Sequence, residues 1–252
     1  MDTAFNAGAG ILTACALALV LGGLVKGTIG MGLPLVATPV LALALTVPEA
    51  IAILSLPVLL TNVWQTAHGR HYGVILRRLW LVLIGLGLGA VAGVRLLVTI
   101  DPKKLSLILG VIVLIYPLTL LLRIDFRITP RSEAWAGPLV GLVAGTMAAI
   151  SHFFGPPLAV YFAALQLHKD QFVTAMALLG LFVTALVTAS LIHYRILTGA
   201  GAVLSFLASI PALAGIWLGI RIRSRINQKL FYRLIAVALL AMGLNLIWKA
   251  FA

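Results

Sequence analysis

The chain has 252 residues, of which 62% are hydrophobic and 10% charged, with a mean hydropathy of +1.16. A water-soluble domain of that length needs far more polar surface, so this composition excludes one and specifies a polytopic membrane protein. The excess of 18 Lys+Arg over 6 Asp+Glu follows the positive-inside rule and calls for no nucleic-acid partner.

Long apolar segments with few charges predict transmembrane helices rather than the short alternating strands of a barrel. In chain order they fall at about 9–26, 33–46, 50–67, 77–99 and 105–122, then at about 136–150, 156–167, 171–193, 199–220 and 231–250. The first has no basic lead and no small-residue cleavage site, and reads as a retained span. It holds the single cysteine, Cys15, a small packing residue that rules out an internal disulfide. The expected fold is an all-α bundle of two repeats, residues 1–122 and 135–252, joined by a polar linker at 123–134.

The repeats are legible as sequence. "GLVKGT" at 23–28 returns as "GLVAGT" at 141–146, "HYGVI" at 71–75 as "HYRIL" at 193–197, and "GAVAGVR" at 89–95 as "GIWLGIR" at 215–221. Order is kept with small insertions, as in the duplicated folds of secondary transporters. Charge decides their sense. If all ten segments cross, thirteen Lys and Arg share one side and five the other; if 33–46 and 156–167 are re-entrant, the split is eight against eight. The positive-inside rule prefers the biased arrangement, with five crossings per half, inverted repeats and both termini outside.

Segments 33–46 and 156–167 are too short for a full span, so the loops before them must dip into the membrane. Those loops are "GTIGMGLP" (27–34) and "ISHFFGPP" (150–157). Each is broken and then restarted by proline, which is well placed in a first helical turn. Gly27, Gly30 and Gly32 permit turns, and a helix start offers unpaired N–H groups to an anion. Two such starts, converging from opposite sides, make an anion site of the kind transporters use. Lys26, Thr28, Gly30, Gly32, Ser151, His152 and Gly155 are its candidate residues. Lys26 also reads as a snorkelling interfacial lysine, and His152 as a hydrogen-bonded packing residue. Gly23, Gly89, Gly93, Gly215 and Gly219 read as close helix packing.

A second polar set lies on the third segment, where Ser55, Thr61, Asn62, Gln65 and His68 interrupt an apolar helix. Asn62 and Gln65, three apart, share a face and are either substrate ligands or inter-helix hydrogen bonders. The matching stretch offers Thr184 and Thr188, and Tyr161 and Gln166 on the short helix are weaker candidates. Acidic residues fall near segment ends, which argues against a cation pathway.

At these residues a family emerges. "GLVKGTIGMGLPLVATPVL" with "PEAIAILSLPVLLTNVWQ", and "GPPLAVYFAALQLHKDQF" in the second half, resemble the TauE/SafE sulfite exporter family, also called the toluene-sulfonate uptake permease family. The motif positions carried over are Lys26, Gly27, Gly30, Gly32, Pro34, Pro39, Gly155, Pro156, Pro157 and Tyr161. "AAISHFF" departs from the second glycine-rich run many members carry. The resemblance implies a permease or exporter of a small sulfur-containing anion, such as sulfite or a sulfoacetate-like organosulfonate, in the bacterial inner membrane. An anion channel, or an importer of sulfate, thiosulfate or carboxylates through the same site, is the alternative. Expected partners are the anion, the lipid bilayer and a second copy of the chain. No cofactor, metal or catalytic residue is expected: Ser151 and His152 are adjacent and poorly placed as nucleophile and base.

Overall fold

The computed structural model describes residues 9–29, 31–67, 72–121, 128–222 and 228–251, and all secondary structure among them is helical. In chain order the helices are α1 (Ala9–Ile29), α2 (Leu33–Ala44), α3 (Val47–Ala67), α4 (Tyr72–Thr99) and α5 (Pro102–Leu121). They continue as α6 (Pro130–Ser151), α7 (Gly155–Ala164), α8 (Lys169–His193), α9 (Gly199–Ile222) and α10 (Gln228–Phe251). Within the described residues, Val47–Ala67, Tyr72–Thr99, Ser132–Ser151, Gln171–His193 and Gly199–Ile222 are long and apolar enough to cross a membrane. With lipid outside, the exposed large residues Trp80, Leu88, Ile210 and Trp217 are what such helices need on their outer faces.

The helix pairings follow a rule. α1 packs along α9, and five helices further on α6 packs along α4. α3 meets α9 as α8 meets α4; α1 meets α2 as α6 meets α7; α5 meets α10, and α3 meets α8. The α1–α9 and α4–α6 pairs use glycine in the same way. A Cβ at Gly23 or Gly27 would strike the carbonyls of Ala212 and Ile216, and one at Gly215 would strike that of Val20. Across the other pair, Gly141 and Gly145 lie against Val82 and Leu86, and Gly85 and Gly89 against Pro138 and Leu142. Lipid supplies no hydrophobic drive between helices, so close backbone approach at small residues takes its place. Gly27, a turn residue by its sequence setting, is therefore a packing residue inside α1.

The short segments are shorter than their apolar runs suggest. α2 has 12 residues and α7 has 10, which at 1.5 Å per residue is about 18 and 15 Å, roughly half a bilayer. The loops before them are tighter than expected too, because α1 continues through Lys26, Gly27 and Thr28 to Ile29 and α6 continues to Ser151. Among the described residues of the two breaks, Gly32 at φ 114 and His152 at φ 54 are left-handed. Pro34 and Pro156 then stand in the first turns of the new helices. Thr38 on α2 donates to the carbonyl of Ser151 at 2.8 Å, satisfying an end of α6 that its own helix leaves open and tying the two breaks together.

The linker forecast at 123–134 falls partly outside the described residues. Its described part carries the N-cap Thr129, whose hydroxyl accepts from the Ser132 amide.

Candidate functional site

A cavity of about 70 Å³ lies where the two breaks meet. Lys26 from α1, Met31 and Gly32 from the first break, Asn62 and Gln65 from α3, and His152 and Gly155 from the second break all line it. Its remaining wall is apolar, with Phe153, Phe154, Phe172, Val58 and Met176. The volume holds a few water molecules or a small anion.

Lys26 is the charged residue of this wall. The residue is only 5% exposed, turned into the bundle toward α3 rather than out along the surface. The ammonium donates to Asn62 Oδ1 at 2.7 Å and to Thr61 Oγ1 at 2.8 Å. Both acceptors are neutral, and among the described residues no carboxylate pairs with it. Two of its three N–H donors are thus used, and no acid among the described residues pairs with its charge. Thr61 is one helical position from Asn62 and accepts beside it, an addition to the expected ligand set.

Asn62 works in both directions. Its Oδ1 holds Lys26 and its Nδ2 donates to Thr184 Oγ1 at 3.3 Å. The inter-helix reading is thus observed, and the same side chain lines the cavity. Thr184 closes onto the Gly180 carbonyl at 2.7 Å, and Thr188 onto the Thr184 carbonyl at 2.7 Å. Gln65 reaches the cavity one turn further along α3 and is partly exposed.

His152 is fully buried. Its Nε2 lies 3.0 Å from the Ile51 carbonyl and 3.4 Å from Ser55 Oγ. A carbonyl only accepts, so Nε2 carries a hydrogen. Ring atom Nδ1 is buried and has no protein partner.

Three expected residues stand away from the cavity. Thr28 bonds back to the carbonyls of Leu24 and Val25 at 3.0 and 2.9 Å. Ser151 Oγ bonds to the Met147 carbonyl at 2.7 Å and accepts from the Phe153 amide at 3.1 Å, shaping the break without facing the space. Tyr161 reaches the Glu133 carbonyl at 3.4 Å, at the end of α6 where Arg78 and Glu133 form a bidentate ion pair of 2.9 and 3.1 Å. Gly30 and His68 lie outside the described residues. The helix starts offer fewer donors than forecast, since Pro34 removes one N–H from α2 and Pro156 with Pro157 removes two from α7. The apolar wall went unforeseen, because phenylalanine and methionine carry no signal in a chain this apolar.

Among the described residues no group of His, Cys, Asp and Glu is placed to hold a metal ion. The cavity thus brings together one buried lysine, two side-chain amides, an imidazole and an apolar wall.

A family model described as Sulfite exporter TauE/SafE matches residues 15–246. The chain belongs to this family, a family of membrane transporters. No curated protein and no solved structure matches it.

Proposed function

We propose that this TauE/SafE family member is a secondary permease that carries a small sulfur-containing anion, sulfite or a small organosulfonate, through the cavity at Lys26. One observation carries the reading: a lysine buried beside two chain breaks, bonded among the described residues to the neutral Thr61 and Asn62 alone, lines a cavity of about 70 Å³. An ammonium among neutral partners in a low-dielectric interior leaves a charge to be balanced. A bound anion balances it, and Asn62 and Gln65 add polar groups beside it.

Two repeats, α1–α5 and α6–α10, form the moving parts in this reading. The exchange of helix partners between them supports it, as does the Thr38 to Ser151 bond between α2 and the second break. Alternating access then rocks one repeat against the other around a fixed site. The chain sits in a bacterial inner membrane with both termini on the periplasmic side, and the direction is export. An interior-negative potential favours outward movement of a monoanion by ~2.3 kcal/mol per 100 mV, so no co-ion is needed.

The test is flux in proteoliposomes holding the full chain. Entrapped sulfite should leave faster than from empty vesicles, saturate with concentration, and accelerate when the potential is set to drive anions outward. Lys26→Ala should remove the saturable part. Flux that never saturates would replace the permease with a channel, and flux unchanged in Lys26→Ala would remove the site.

A further inference from the structure

His152 is the least explained residue at the cavity. It sits at φ 54, a left-handed turn that glycine makes freely and that the first break fills with Gly32. Histidine is one of the non-glycine residues that takes this region more readily, and Gln166 and Arg195 share it, so the conformation admits the side chain and the contacts of its ring carry the argument. One side of the ring is accounted for, with Nε2 donating to the Ile51 carbonyl at 3.0 Å. The other nitrogen, Nδ1, is buried without a protein partner, on a residue that lines the cavity. With the hydrogen fixed on Nε2, Nδ1 of the neutral ring is an acceptor. A buried acceptor left unpaired is costly, so it needs a donor. Lys26 keeps a third N–H, but its amine is turned to Thr61 and Asn62 and makes no hydrogen bond to this nitrogen.

Resting on the anion site proposed above, we propose that the cavity selects a monoanion that brings its own hydrogen-bond donor: an oxyanion or sulfonate bearing an O–H that His152 Nδ1 accepts. The single lysine fits one negative charge. The O–H meets Nδ1, and the carbon skeleton lies against Phe153, Phe154 and Met176. His152 is then a specificity-determining residue. A site built to receive a hydroxyl rejects the isostere that lacks it more strongly than an apolar pocket rejects an added methyl group.

The experiment compares 2-hydroxyethanesulfonate with propane-1-sulfonate, which differ by OH against CH₃, using calorimetry on the full-length chain in nanodiscs with sulfite as a reference anion. The wild-type protein should bind the hydroxylated anion tighter by about tenfold or more. His152→Gln places an amide where Nε2 was and removes Nδ1, so it should bind both sulfonates alike. His152→Asn keeps a polar group near the Nδ1 position and tolerates the left-handed turn, so it should retain part of the preference. Size-exclusion and melting profiles of both variants show whether they fold; the comparison on the wild-type chain decides the question without them. Equal affinity of the wild-type protein for the two sulfonates overturns the assignment and leaves the anion site standing, as does binding of sulfite alone that is equal at pH 6, where it is protonated, and at pH 9, where it is not. No binding by any of the three overturns both.

Discussion

Asn62 joins the charge at the site to the rest of the bundle, with Lys26 at 2.7 Å on one side and Thr184 at 3.3 Å on the other. If Lys26 is charged to hold an anion, an acid at position 62 should compete with that anion. Asn62→Asp changes one side-chain atom and places a carboxylate against the ammonium. The expected result is a folded protein that no longer binds sulfite, whereas Asn62→Ala should fold less stably and keep some binding. A sulfite titration of both variants checks this; retained affinity in Asn62→Asp would mean that the lysine charge is not what the anion meets. Lys26, Asn62 and Gln65 could be picked out because they are polar in an apolar chain. Thr28, Ser151 and Tyr161 carried the same signal, but their hydroxyls are absorbed by backbone carbonyls, and no sequence pattern separates these two fates.

At the scale of helices, the proline inside α3 has an identifiable partner. This residue, Pro57, cannot donate to the Ile53 carbonyl four residues back. Ser205 of α9 fills the gap, donating to Ile53 at 2.8 Å and accepting from the Leu56 amide at 3.0 Å. Thr61 and Asn62 lie one turn further along the same helix. Ser205→Ala should cost about 1–3 kcal/mol, the penalty for stranding buried polar groups. Pro57→Ala lets α3 close its own hydrogen bond, so adding it to Ser205→Ala should recover part of the loss. Melting temperatures of the two single variants and the double variant test this; strictly additive losses would mean that Ser205 and Pro57 are uncoupled. The breaks before α2 and α7 were readable from proline and glycine placement. Their exact ends were not, because Gly27 looks like a turn residue and is held in a helix by packing on Ile216. Nothing local to residue 27 encodes a neighbour 189 positions away.

For the whole molecule, composition alone was enough for the all-α membrane class, and the short repeated motifs foreshadowed the glycine faces. "GLVKGT" and "GLVAGT" are the very stretches that pack on α9 and α4. The charge count used Lys26 as a loop residue, which its burial corrects; without it the bias to one side persists. Inverted repeats of five crossings require both termini on the same face. Reporter fusions at each end should give the same, periplasmic, answer, and opposite answers would dismiss the inverted arrangement. The central claim is that a buried lysine at the meeting of two breaks receives a sulfur anion. Its most direct measurement is the melting temperature of the purified chain against sulfite concentration, for the wild-type protein and Lys26→Met. A ligand bound only by the folded state stabilises by RT ln(1 + [L]/Kd), about 2.7 kcal/mol at a hundredfold excess over Kd. The wild-type curve should rise with sulfite while Lys26→Met, folded and at least as stable because an apolar chain replaces a buried charge, stays flat. Parallel rises in both proteins would place the anion elsewhere and contradict the account.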